Sequence, residues 1–347
     1  MSTDACRGGR CTAPETWTSA IEHIAQARTI AISGHTNPDG DALGSCLGLG
    51  LSLRGRYPEK DIVCLLADNA EVPRILRFLP GASEMIPAAH YDGIPDLFIS
   101  VDVPILERLA DSSAVARRAR RALVIDHHPA REEFTDLVVR KTSAAAAAML
   151  VAELIDTAGF PLDANIATCL LTGIVTDTGR FQYQNADVAA FACASRLLAA
   201  GADPARISLE VYQSQRLEYL RLESIVMGRI KTVSRGLVAY SYIHAMDLTE
   251  CGVTSEECDG LVDIVRSVLG IEIALFLKEV EPGEIRGNLR SKGSLDISPV
   301  ARALAGGGHA AAAGFTYRGS IEEALDEILP RLDELVRSVE SPTLTEA

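Results

Sequence analysis

The sequence predicts an α/β protein, a doubly wound and mostly parallel sheet followed by a smaller α+β C-terminal domain. Three observations carry that prediction. Apolar runs at 29–33, 61–67, 96–102 and 121–126 alternate with stretches of helical periodicity, the rhythm of strand–helix–strand units. Clusters of acids and histidines stand directly after three of those runs, at the edge where open α/β sheets receive ligands. The 347 residues exceed a typical single domain, and the pattern changes character near residue 203, so two domains are expected.

Residues 17–28 read as a helix because Trp17, Ile21, Ile24 and Ala25 fall at helical spacing. Strand 29–33 is followed by helix 41–56, strand 61–67, a short helix at 72–79, strand 96–102, helix 105–119 and strand 121–126. Helical periodicity then runs through 143–158, 163–175 and 187–200, and the run Ala144 to Ala148 reads as close helix packing. Asp203-Pro204 opens another short helix, and Gln213-Ser214-Gln215-Arg216 is a polar connector with few apolar anchors. The expected organisation is a flexible leader at 1–16, a first domain at 17–205, a linker at 206–225 and a second domain at 226–340. That second domain combines strands at 229–233, 237–243, 271–280 and 284–290 with helices at 255–269, 296–305 and 320–338.

Composition restricts the function classes. A hydrophobic share of 48% with 5% aromatics suits a core of Ala, Leu, Val and Ile. A net charge of −14 argues against a broad basic surface for long duplex nucleic acid, because neutralised phosphates supply most of such affinity. A small phosphate-bearing ligand held by a few local cations fits better. No apolar stretch approaches the roughly 20 residues of a membrane span, and Met1 to Pro14 lacks the apolar core of a secretory signal. Most of the eight cysteines lie in apolar runs and no CxxC pair exists, so a reduced, cytoplasmic setting is expected. Cys6 and Cys11, in the polar leader, are the exceptions.

His35-Thr36-Asn37-Pro38-Asp39-Gly40-Asp41 puts one imidazole and two carboxylates within seven residues, after the first apolar run. A strand ending in such a turn would throw these side chains out at the sheet edge; an ordinary Asp-Gly turn is the plain alternative. The helix that starts at Ala42 also offers N-terminal amides to a phosphate oxygen. Asp102 ends the run Leu97 to Val101, where it either caps the next helix or joins the other strand-end acids as a bridging metal ligand. Asp126-His127-His128 follows Ala122 to Ile125. Adjacent side chains on an extended segment point to opposite sides, so one histidine is expected on metal and the other on substrate, with Asp126 orienting an imidazole.

Asp177 ends a helical run before Thr178-Gly179, and an acid at the negative end of a helix dipole is easier to understand beside a cation. Together these ligands suffice for two adjacent divalent ions, Mn²⁺ ahead of Mg²⁺ because imidazoles are among them, and two metals suit phosphoester hydrolysis. In the second domain, three glycines in Gly306-Gly307-Gly308-His309 would let backbone amides approach a phosphate, unless they form only a flexible turn. Arg286, Arg290 and Lys292 add three cations in seven positions, as phosphate contacts or as solubilising charge on an edge strand.

These motifs together resemble the DHH/DHHA1 phosphoesterases over about residues 18–335, and among them the bacterial oligoribonuclease/3′-phosphoadenosine 5′-phosphate phosphatase (nanoRNase) group. The resemblance implies two Mn²⁺ ions in the N-terminal domain and substrate contacts from the C-terminal one across a cleft. At the matching positions, His35, Asp39 and Asp102 would hold one metal, and Asp41, Asp102, His127 and Asp177 the other, with Asp102 bridging. His128 would sit near the scissile phosphate, with Asp102 and Asp126 counted in the catalytic group. Arg290, Ser291 and His309 would receive the far end of the nucleotide, within a substrate-binding set completed by Arg286, Lys292, Gly306, Gly307 and Gly308.

The implied substrates are very short RNA, linear dinucleotides and 3′-phosphoadenosine 5′-phosphate, and the implied assembly is a homodimer. A manganese inorganic pyrophosphatase shares the look of the metal domain but not the glycine motif. A single-strand exonuclease would bring further nucleic-acid-binding modules and more positive charge. A non-catalytic nucleotide sensor would be expected to have lost metal carboxylates, and none is missing.

Overall fold

The computed structural model describes residues 14–340 apart from 131, 132, 136 and 294, so Cys6 and Cys11 lie outside the described residues. The chain divides into two compact units, one up to Ser214 and one from Gln215 onward. No helix among the described residues is long and apolar enough to cross a membrane.

The first unit opens with α1 (Pro14–Gln26), β1 (Thr29–Ser33), α2 (Gly40–Arg56) and β2 (Asp61–Leu66). It continues through β3 (Ile86–Pro87), β4 (Leu97–Val101), α3 (Ser112–Arg118), β5 (Ala122–Asp126) and β6 (Leu137–Arg140). Helices α4 (Ala147–Ala158), α5 (Ala164–Asp177), α6 (Val188–Ala199) and α7 (Pro204–Tyr212) complete it. Every strand pairing is parallel, in the order β3-β2-β1-β4-β5-β6. The winding reverses between β1 and β4, and such a switch point opens a crevice at the carboxyl ends of the strands. All five residues of β4 are buried, as expected of a parallel strand covered on both faces.

Glycine sets the closest helix contact. Gly40, Gly44 and Gly48 fall four apart along α2 and face α5: a Cβ on Gly44 would stand 2.3 Å from the Cys169 carbonyl oxygen, and one on Gly48 2.7 Å from Leu170 Cδ2. Without side chains there, α2 and α5 approach backbone to backbone. The start of α2, which carries Asp41, thereby meets the end of α5, which carries Asp177.

The structure corrects several sequence-based expectations in this unit. Helix α1 begins at Pro14, inside the stretch assigned to the leader. The helix expected at 105–119 is a 3-10 turn at Leu106–Leu109 and a separate α3, broken where Ala110 takes φ +43. Only a 3-10 turn, Arg74–Leu76, stands in the 72–79 stretch. Strands β3 and β6 are not legible in the sequence, because edge strands of two and four residues carry too little periodicity.

The second unit comprises α8 (Leu217–Gly228), β7 (Lys231–Val233), β8 (Val238–Ile243), α9 (Ala245–Cys251), α10 (Val262–Arg266) and β9 (Ile273–Glu281). After these come β10 (Glu284–Ser291), α11 (Ser298–Ala303), β11 (Gly307–Gly308), β12 (Ala312–Arg318) and α12 (Ile321–Glu340). Its sheet has the order β11-β12-β10-β9-β8-β7, with β8 and β9 parallel and the other neighbours antiparallel. One face packs on α11 and α12 through residues such as Leu275, Leu289, Phe315 and Ile328. The other packs on α8, α9 and α10 through Phe276, Leu222 and Val265.

The linker expected at 206–225 is largely helical. Tyr219, Leu222 and Val226 recur at helical spacing and bury one face of α8, so only 213–216 connects α7 to α8. Strand β12 is masked by the alanine-rich tail of the glycine motif.

Candidate functional site

Three loops and two helix ends of the first unit converge at the carboxyl edge of its sheet. His35 lies just beyond β1, Asp102 directly follows β4, and His127 and His128 follow Asp126 at the end of β5. Asp41 sits in the first turn of α2 and Asp177 is the last residue of α5. Three overlapping groups of ligand atoms, each within 4.8 Å of one another, could hold a metal ion: His35/Asp39/Asp102, Asp41/His127/Asp177 and Asp102/His127/His128. Asp102 belongs to both sides. Its Oδ2 lies 3.4 Å from His35 Nε2, while its Oδ1 lies 3.3 Å from both His127 Nε2 and His128 Nδ1. That Oδ1 is sealed from solvent and makes no hydrogen bond of ordinary geometry.

Backbone carbonyls set which ring nitrogen faces inward. His35 Nδ1 donates to the Thr36 carbonyl at 2.8 Å and His127 Nδ1 to the Ala144 carbonyl at 3.1 Å. A carbonyl can only accept, so each Nδ1 carries hydrogen and each Nε2 can offer a lone pair to a cation. Asp41 is fixed more firmly. Its two oxygens accept from the amides of Ala147 at 2.6 Å and Ala148 at 2.9 Å, so it caps α4, whose own N-cap residue Ala146 has no capping side chain. Asp39 caps α2 through the amides of Asp41 and Ala42, both at 3.0 Å. Two imidazoles and four carboxylates oriented in this way fit the oxygen-and-nitrogen donor set that Mn²⁺ or Mg²⁺ accepts.

The two histidines that follow β5 do not point to opposite sides. Their rings lie 4.4 Å apart, and both reach Asp102, because β5 ends at Asp126 and the chain bends at His128. Asp126 is fully buried, so it cannot touch a substrate; it accepts from His128 Nδ1 at 3.0 Å and orients that ring. Sequence reasoning missed three supports. Arg140 Nε, on β6, donates to Asp126 Oδ2 at 3.0 Å. Asp68, beyond β2, accepts from Thr36 Oγ1 and steadies the His35 loop. Gly173 leaves room for Asp41, since a Cβ there would stand 2.7 Å from its Oδ1. Asp68 was findable as another acid after an apolar run; Arg140 was not, because its strand leaves no readable pattern.

The arrangement agrees with the family comparisons. The DHH family N-terminal domain matches residues 29–174, and the DHHA1 domain matches residues 236–338. The bifunctional oligoribonuclease and PAP phosphatase NrnA of Thermus thermophilus is 33% identical over 312 residues, 89% of this chain and 91% of that protein. This chain belongs to the DHH/DHHA1 phosphoesterase family. The protein of the same name from Bacillus subtilis is 31% identical over 93% of this chain and 99% of its own length. A crystal structure of an exopolyphosphatase-related protein from Bacteroides fragilis superposes with a TM-score of 0.85 at 25% identity, covering 96% of this chain and all of that one.

As a DHH/DHHA1 phosphoesterase the protein is a hydrolase, and the charges of its DHH site are arranged around Asp102. Burial opposes ionisation of Asp102, but His127, His128 and His35 hold its carboxyl well below the usual range. Burial would likewise discharge the imidazoles, yet Asp102 and its neighbours raise His127 to about 10, and Asp102 and Asp126 raise His128 to about 9. Burial pushes Asp41 well above the usual carboxylate range, with Asp102 and Asp177 adding to it, and pushes Asp177 up to about 7. Without a cation, then, the site keeps protons to balance its acids.

In the DHHA1 unit the candidate substrate residues divide by strand alternation. Arg286, Asn288 and Arg290 share one face of β10, while Ser291 alternates onto the opposite face, is buried, and donates to the Gly293 carbonyl at 3.4 Å. Lys292 Nζ donates to the Val268 carbonyl at 2.5 Å. The glycine motif is not a loose loop. Gly307 and Gly308 pair with β12, and the amide of His309 donates to the Ala312 carbonyl at 2.7 Å, closing a tight hairpin. Gly306 and Gly308 are required by packing, because a Cβ would stand 2.1 Å from the Gly314 oxygen or 2.4 Å from the Ala312 oxygen. Gly307 has nothing within 4 Å, so among the three only its missing side chain is left for a ligand to use.

Proposed function

We propose that this phosphoesterase hydrolyses very short RNA and linear dinucleotides to mononucleotides, and removes the 3′-phosphate of 3′-phosphoadenosine 5′-phosphate, using two Mn²⁺ ions. The observation that carries this reading is Asp102, with one oxygen turned to His35 and the other to His127, at the junction of two ligand groups. His35, Asp39 and Asp102 would hold one ion, and Asp41, Asp102, His127 and Asp177 the other. Ions bound there lower the pKa of an attacking water and neutralise charge developing on the phosphoryl oxygens. His128, part-exposed and oriented through its Nδ1 by Asp126, donates to a phosphate oxygen or to the departing ribose oxygen. Arg286, Arg290 and the backbone at Gly307 take up further phosphate and sugar oxygens of the nucleotide.

The test is a parallel assay with Mn²⁺ on a dinucleotide, 3′-phosphoadenosine 5′-phosphate, pyrophosphate and a long single strand. Dinucleotide and 3′-phosphoadenosine 5′-phosphate should be cut fastest. Preference for pyrophosphate or for the long strand would overturn the proposal.

Metal removal should reveal the protons the acids retain. His127 is raised to about 10, His128 to about 9 and Asp177 to about 7, so each contributes stability fully present below its unfolded value and lost as pH rises through its folded value. The metal-free protein therefore loses stability as pH rises from about 4 to about 10, while a cation, which needs His127 and Asp177 deprotonated, gains hold over the same interval. The difference in Tm between Mn²⁺-loaded and EDTA-treated protein should be larger at about pH 8.5 than at about 5.5. A difference that shrinks with rising pH would contradict the ligand assignment.

A further inference from the structure

We propose that the first unit carries a second anion site, an arginine-lined cavity at the amino edge of its sheet that takes the phosphates of a small polyphosphorylated ligand. Arg117-Arg118-Ala119-Arg120-Arg121 places four arginines in five residues of a chain whose net charge is −14. The segment joins the end of α3 to the start of β5. Asp126 stands at the other end of β5, four residues of strand and about 13 Å away. The arginines are thus separate from the metal ligands.

A cavity of about 580 Å³ opens at this edge, lined by His23, Arg117, Arg120, Arg121, Phe134 and Leu137 among others. That volume lies within the range of small-molecule sites, roughly 300–1,000 Å³. One of the four arginines is engaged by the fold itself, since Arg118 Nε donates to the Gly93 carbonyl at 2.8 Å and its guanidinium lies over the Tyr91 ring. The other three line the cavity. Arg120 reaches Asp96 at 3.2 Å yet remains 77% exposed, and Asp96 is already bonded to the amides of Arg28 and Thr29. Among the described residues, the acid in the wall is Glu133, which is paired with Arg140. Among the described residues positive charge is therefore in excess, and the apolar wall of Phe134 and Leu137 strengthens its field.

Three guanidiniums around one cavity repel one another unless an anion lies between them. Their planar forks match phosphate oxygens, and a di- or triphosphate spans more than one fork. A nucleoside triphosphate and inorganic tripolyphosphate share this chemistry, and the former adds a base for the apolar wall.

Calorimetric titration of the full-length protein in EDTA, which keeps metals out of the DHH site, tests the proposal with tripolyphosphate, ATP, adenosine and a single-stranded RNA. Both phosphorylated ligands should bind and adenosine should not; tighter binding of ATP than of tripolyphosphate would mark a nucleotide as the occupant. The double variant Arg117→Ala/Arg121→Ala should weaken binding on the order of 100-fold, about tenfold for each charge-assisted contact. Arg117→Lys/Arg121→Lys, which keeps charge and removes only the forks, should recover part of it. Dinucleotide hydrolysis with Mn²⁺ should be unchanged in both. The proposal fails if neither phosphorylated ligand binds below about 1 mM. It fails equally if the alanine pair binds like wild type, or if the site takes single-stranded RNA in preference to both small anions.

Discussion

Replacing Asp102 by alanine or asparagine is expected to abolish turnover while the protein stays folded. The residue is buried beneath three imidazoles and presents one oxygen to each ligand group, so both groups lose a donor together. Loss of a single oxyanion donor costs enzymes about 10²–10³ in rate, so a carboxylate shared by two cations should cost on the order of 10³ or more. Asparagine is the sharper variant. Asp102 adopts φ +59, a left-handed conformation that Asp and Asn tolerate better than Ala, so asparagine keeps the backbone and the volume and removes only the charge. Bound Mn²⁺ per chain should fall from two to one or none, a readout independent of activity. Near-normal turnover, or two metals retained in either variant, would falsify the binuclear assignment.

The largest stability effect is expected from Gly44→Ala. Helix propensity favours alanine by about 1 kcal/mol at an ordinary helical site. Here the new Cβ would stand 2.3 Å from the Cys169 carbonyl oxygen and 3.1 Å from the Gly173 amide nitrogen, and backbone cannot step aside as a side chain would. Forcing α2 and α5 apart should cost about 1–3 kcal/mol net, as overpacked cores do. It would also separate Asp41 from Asp177, so Mn²⁺ affinity should drop with stability. Gly55→Ala, later in the same helix, is the control: its nearest neighbour is Pro161 Cγ at 3.4 Å, and the change should be neutral or stabilising. A Gly44→Ala protein that melts at or above the wild-type temperature would show that the helices do not need this contact.

Much of the first unit was legible because parallel strands covered on both faces read as unbroken apolar runs, and their ends carry the acids and histidines in short consecutive motifs. β1, β4 and β5 close where His35, Asp102 and Asp126 begin to matter. Edge strands fared worse: β6 offers four residues and one fully buried position, too little signal for its Arg140 to be tied to Asp126. In the second unit the glycines of 306–308 suggest a phosphate cradle by composition, whereas two of the three are explained by the hairpin against β12.

Local chemistry by itself determined which residue types stand at the sheet edge, since turn and strand propensities act within a few positions. The orientation of those side chains came only from contacts remote in sequence. Asp41 is aimed by amides 106 and 107 positions away, and Asp102 gains its two-sided role from imidazoles supplied by the ends of two other strands. His127 and His128 converge rather than diverge because the strand ends one residue earlier, at Asp126. Hydrogen-bond direction and charge balance depend on distances across the folded chain, and no local pattern encodes those distances.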